Sequence, residues 1–223
     1  MRLRRPSEPP PWHLHLLRTG GDMADHVGPV RLAAEAARAA IHRIVPCPAL
    51  DLLLRRAGPE ATLPDLGLAA VALEPRLMAL NGDPSARAFG RSLHDGALVR
   101  VLVHEAHHCL RMAGPGYGRT LGEALVSEGL AGAFVSAALG TVPEPWEDAV
   151  GEATLLRHWP APDILAAPCD HGRWFAGTGD LPLWIGYALG YRIASRWAML
   201  TRPKGRDWTE VSARAVIETA ALA

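Results

Sequence analysis

The sequence predicts an α+β fold, and three observations carry the prediction. Short apolar or alternating runs bounded by Gly and Pro occupy the first eighty or so residues. Long segments of helical periodicity follow from about Pro84 onward. No period recurs along the chain that would signal a repeat architecture. Strand signals first and helix signals afterwards argue for α+β.

"WHLHLL" (Trp12 to Leu17) alternates and reads as a strand. "VGPVRLAAEAARAAIHRIV" reads as a helix stopped by Pro46 and Pro48. "ALDLLLRR" is a second strand. "GLAAVALEPRLMALNGD" reads as two extended segments about a turn at Glu74-Pro75, closed by the Asn81-Gly82-Asp83 loop. A helix is expected from near His94–Gly96 to just before Gly114-Pro115-Gly116. "TLGEALVSEGLAGAFVSAALG" is the next, ending at Gly140. "EPWEDAVGEATLLRHW" is expected as a third, "DLPLWIGYALGYRIASRWAML" as a fourth with Pro182 in its first turn, and "DWTEVSARAVIETAALA" as a closing helix. Residues 1–11, rich in Arg and Pro, are expected to form a flexible tail, and 12–223 a single domain.

Composition narrows the function. The 23 basic and 23 acidic residues cancel, so no bulk charge draws in nucleic acid or an acidic membrane. At 49% hydrophobic, the 223 residues can build a real core. Cys47, Cys109 and Cys169 are widely spaced and odd in number, which speaks against a disulfide framework and for a reducing compartment. The N-terminus lacks the apolar stretch of a signal peptide, and no uncharged run reaches the length of a membrane span. The expectation is a soluble, cytoplasmic protein without nucleic-acid or membrane partners.

The chemistry concentrates in "VRVLVHEAHHCLRM", Val99 to Met112. His104, Glu105 and His108 fit H-E-x-x-H. Residues four apart share a helix face, so His104 and His108 can converge on one ion, and Glu105 projects beside that face. His107 could pair with His104 in principle. It falls beside Arg100 and Arg111, however, and is expected to be a solvent-facing or rim residue. Cys109 is read as packing. Against a metal stands a buried hydrogen-bond network of the same residues.

On the following helix, Thr120 and Glu123 fit a capping box. Glu128 has no such explanation. Its neighbours at helical spacing are Ala124, Leu125, Ala131 and Gly132, and a carboxylate on an apolar stripe has to be paired or metal-bound. Gly129 and Gly132 are expected to let this helix approach the histidine helix. In "GYALGY", Tyr187 and Tyr191 share a face and could donate to a developing oxyanion or simply pack. His171 and Tyr117 are weaker candidates for that role. His13, His15, His26, His42 and His158 read as ordinary surface or core residues.

These residues resemble a known pattern. H-E-x-x-H with a glutamate 20 residues beyond the second histidine, on the next helix, is similar to the gluzincin metallopeptidases, thermolysin among them. More closely, "HEAHHCLR…TLGEALVSEGLAGAF…WIGYALGYRIA" resembles an uncharacterised bacterial family of zinc-dependent proteases, over residues 70 to 200 or so. The resemblance implies a zincin-like core, with a small N-terminal sheet packed on the H-E-x-x-H helix and a mainly helical part after it. It implies Zn2+ held by His104, His108 and Glu128, with a water at the fourth position and Glu105 as general base. Peptide or protein would be the substrate. Thermolysin-like enzymes carry an aspartate four residues after the glutamate ligand; here that position is Gly132, and Asp95 and Glu123 are candidate substitutes. The loss of that aspartate leaves room for a zinc-binding regulatory protein with little turnover.

Overall fold

The computed structural model describes residues 10–221. Of the expected tail, residues 1–9 lie outside the described residues, and Pro10 and Pro11 are exposed. The fold is α+β: a small four-stranded sheet, then a mostly helical remainder. The chain divides into two compact units, Met1–Leu110 and Arg111–Ala223.

In the first unit, strands β1 (Trp12–Leu17), β2 (Leu50–Arg56), β3 (Leu68–Glu74) and β4 (Leu77–Gly82) lie in the order β1-β2-β4-β3. β1, β2 and β4 are parallel, and β3 closes the sheet as an antiparallel edge. The parallel connection from β1 to β2 runs through helix α1 (Val27–His42), as a crossover requires. α1 buries Val30, Ala33, Ala34, Ala37, Ala40 and Ile41, a stripe at three- and four-residue spacing. β2 buries Leu50, Leu52 and Leu54 and turns Asp51 outward, where it meets His15 at 2.6 Å. The other inner strand, β4, is buried from Met78 to Gly82. A one-turn helix, α2 (Phe89–Ser92), leads to α3 (Ala97–Met112), the H-E-x-x-H helix. Asp95 holds its start by accepting from the Ala97 amide at 2.9 Å.

The second unit is built around α4 (Leu121–Leu139), which is apolar and buried at nearly every position. It is the one helix among the described residues long and apolar enough to cross a membrane, yet 78% of that stretch is buried, as in a core helix. Thr120 caps it: its hydroxyl accepts from the Glu123 amide while the Glu123 carboxylate accepts from Thr120 and Arg119. Gly140 ends it in the left-handed conformation, φ 67°. Short helices α5 (Glu152–Arg157), α6 (Pro162–Ala166) and α7 (His171–Phe175) follow, then α8 (Ile185–Thr201), α9 (Asp207–Glu210) and α10 (Ala213–Ala221).

α8 lies against α4 through glycine. A side chain at Gly129 would strike the backbone of Gly190, and one at Gly190 would strike the Leu125 carbonyl. The close approach that Gly129 permits is to α8. Gly186 in turn admits Trp174 and Phe175.

Three expected helices are shorter than their apolar patterns. In the third, only Glu152–Arg157 is helical, because Glu147 turns its carboxylate back to the Glu144 amide at 2.8 Å, a local bond that competes with helix. Pro182 precedes α8 instead of sitting in its first turn, since Trp184 adopts φ 62° and starts the helix late. The last segment breaks at Val211, whose extended backbone separates α9 from α10.

Replacing Gly129 with Ala is expected to cost about 1–3 kcal/mol through overpacking at a backbone contact. A lowered thermal midpoint, with helical content at low temperature retained, is the readout.

Candidate metal centre

The two histidines of H-E-x-x-H occupy successive turns of α3. Their Nε2 atoms face each other at 3.1 Å, with ring centroids 4.8 Å apart. Two ligands on a tetrahedral zinc at about 2.05 Å stand about 3.3 Å from one another, so this pair needs almost no adjustment to share an ion. Glu105 is held beside them by β3: its Oε2 accepts from the Ala72 amide at 2.7 Å. The edge strand thus fixes the carboxylate.

His107 departs from expectation. It is fully buried, and Arg111 beside it is only 2% exposed. The side of α3 that carries Arg100, His107 and Arg111 is not a solvated face, because the helix is enclosed on more than its apolar stripe. Charge in a helical pattern marks a polar environment, which here is an interior one. Cys109 is buried, its thiol 3.8 Å from the Leu77 carbonyl, and burial pushes it up to about 12. That is a packing residue, as expected.

Glu128 projects from α4, and its Oε1 accepts from the Tyr117 hydroxyl at 2.6 Å. Tyr117 is itself pinned, because the Ser127 hydroxyl donates to its carbonyl at 2.9 Å. Burial and the neighbouring carboxylate push the Tyr117 phenol far up, so it stays a donor. A ladder of rings backs it: Tyr117 on His171 at 5.6 Å, His171 on Phe175 at 5.2 Å, and Phe175 on Tyr187 at 5.0 Å.

His104, His108 and Glu128 each offer one ligand atom, and the three atoms lie within 4.8 Å of one another. Two imidazole nitrogens and one carboxylate oxygen form a donor set that zinc accepts, with a position left open for chemistry. The residues present therefore fit the metal. The orientation of the set matters too: ligands held by hydrogen bonds from outside bind more tightly than loose ones.

The chain matches the model of a family described as "Predicted Zn-dependent protease (DUF2268)" over residues 88–218, more than half its length. The chain belongs to this family. The matched region covers α3, α4 and α8, and with them all three donors. No curated protein and no solved structure matches the chain.

The other candidates are placed as follows. Tyr191 is half-buried, and its hydroxyl meets Ser136 at 3.1 Å. Ser136 is eight residues beyond Glu128, about 12 Å along the helix. Tyr187 stands at the end of the ring ladder, against Phe175. Asp95 and Glu123 hold helix starts. The polar group on Glu128 is Tyr117. One turn further along α4, Glu147, buried at 6% exposure, fills with its carboxylate the space next to Gly132, where a side chain would otherwise stand. Glu147 escaped the sequence reading because it sits in a Pro-flanked turn. The one signal for it was the absence of a side chain at Gly132.

Tyr117→Phe is expected to weaken zinc binding about 10- to 100-fold with the fold retained. Competition against a chromophoric chelator measures it. Glu123→Ala should cost about 1 kcal/mol of stability and leave zinc affinity unchanged. The Glu123 pKa is lowered, first by the Thr120 amide and then by that of Arg119. Its contribution is therefore present at neutral pH and lost as pH falls through that lowered value.

Proposed function

We propose that the protein is a zinc metallopeptidase with a zincin-like site, hydrolysing peptide bonds in a peptide or protein substrate. The convergence of the His104, His108 and Glu128 ligand atoms within 4.8 Å carries the reading, together with membership of a family described as zinc-dependent proteases. His104 and His108 hold the metal from α3 and Glu128 from α4. Zinc, when bound, supplies Lewis acidity toward a carbonyl and water.

The chain's own residues do the rest. Glu105 is the general base: a carboxylate one residue after the first ligand takes a proton from the attacking water and returns it to the departing amine. Its Oε2 anchor on Ala72 keeps the side chain aimed. Tyr117 orients the Glu128 carboxylate. Of the two tyrosines on α8, Tyr187 is proposed as the donor to the developing oxyanion, because it ends the ladder of rings that starts at Tyr117. Tyr191 is committed to Ser136 and is proposed to position α8 against α4.

Glu105→Gln is expected to retain zinc and lower peptide or casein hydrolysis by two to four orders of magnitude, roughly the contribution of a general base. Metal content by mass spectrometry and cleavage of a peptide library are read on the same preparation. Zinc-replete wild-type protein that cleaves nothing would support a zinc-binding regulatory role instead. Glu128→Ala should lose metal with the fold largely kept.

A further inference from the structure

Arg111 is the buried group that the reaction leaves unused. It is 2% exposed, and its Nη1 donates to the Val211 carbonyl at 3.0 Å, at the break between α9 and α10. Its buried Nε has no hydrogen-bond partner among the described residues. No carboxylate pairs with it there either, and burial alone pulls its pKa down to about 10. A buried guanidinium with a carbonyl but no anion is incompletely satisfied.

This residue lines a cavity of about 640 Å³ in the second unit. Pro115, Tyr117, Leu165 and Ile217 supply apolar wall. The remaining charges along it are already matched. Arg214 meets Glu218 at 2.6 Å, and Glu123 is consumed by the cap of α4. Tyr117 is shared: its side chain borders the cavity while its hydroxyl holds Glu128. A group in the cavity is thus one tyrosine away from a metal ligand.

We propose that this cavity is the selectivity pocket of the peptidase and takes a carboxylate-bearing residue of the substrate. The methylenes lie on the Leu165 and Ile217 wall, and the carboxylate pairs with Arg111, whose forked donors suit it. The carboxylate is that of an acidic side chain or of a peptide C-terminus. The assignment rests on the peptidase reading for its purpose, but not for its binding chemistry.

Calorimetric titration of the zinc-loaded protein with three probes tests it. N-acetylglutamate α-amide carries only the side-chain carboxylate, N-acetylglutamine only the terminal one, and N-acetylglutamine α-amide neither. One of the acids is expected to bind about tenfold or more tightly than the neutral probe. Which acid wins tells an internal acidic residue from a terminus. Ile217→Trp, which fills the cavity and leaves Arg111 in place, should abolish the preference with zinc affinity unchanged. Equal binding of all three probes, or no binding, overturns the proposal. So does a preference that survives in Ile217→Trp, which would place the carboxylate on the metal. A carboxylate preference in a protein that cleaves no peptide keeps the pocket and removes the peptidase. Cleavage with no preference does the reverse.

Discussion

A helix buried along almost its whole length has to carry a carboxylate at Glu128, and the rest of the second unit is arranged around that constraint. An ionised carboxylate in an apolar setting is costly unless something donates to it. Tyr117 does so at 2.6 Å, from a glycine-flanked segment that Ser127 ties back to the same helix. The backbone of α4 is fixed independently, by its capping box at one end and the glycine contact with α8 along its side. Glu128 therefore inherits its position from two rigid sources.

The histidine pair in the first unit is specified by simpler means. Four-residue spacing on α3 brings the two Nε2 atoms to 3.1 Å, and the edge strand β3 steadies Glu105 through one amide. Little tertiary information is needed for the former, because it follows from helix geometry. The latter depends on β3 lying at the sheet edge, antiparallel to β4. Strand order is a long-range property, and no local pattern announces it.

Where the reading of the residues failed, the cause was the same each time. The flanking arginines point to solvent or the rim for His107, yet His107 and Arg111 are both buried. Gly129 lies against Gly190 of α8, a partner its sequence cannot name, because a glycine reports that something is close, and not what. Pro182 and Val211 mark helix boundaries that apolar periodicity runs straight through. Glu147 was invisible because its carboxylate reaches α4 from a turn.

The sequence by itself determined the four strands, the two long helices that bear the candidate metal donors, the capping box and the choice of His104, His108 and Glu128 as those candidates. These are properties of spacing, propensity and the cost of an unexplained carboxylate, and all are local. Only the tertiary structure decided that Tyr117 holds Glu128, that Glu147 stands beside Gly132, and that Arg111 is a buried cation on a cavity wall. Those depend on which distant segments pack together, and burial cancels the solvent that would otherwise make such residues ordinary.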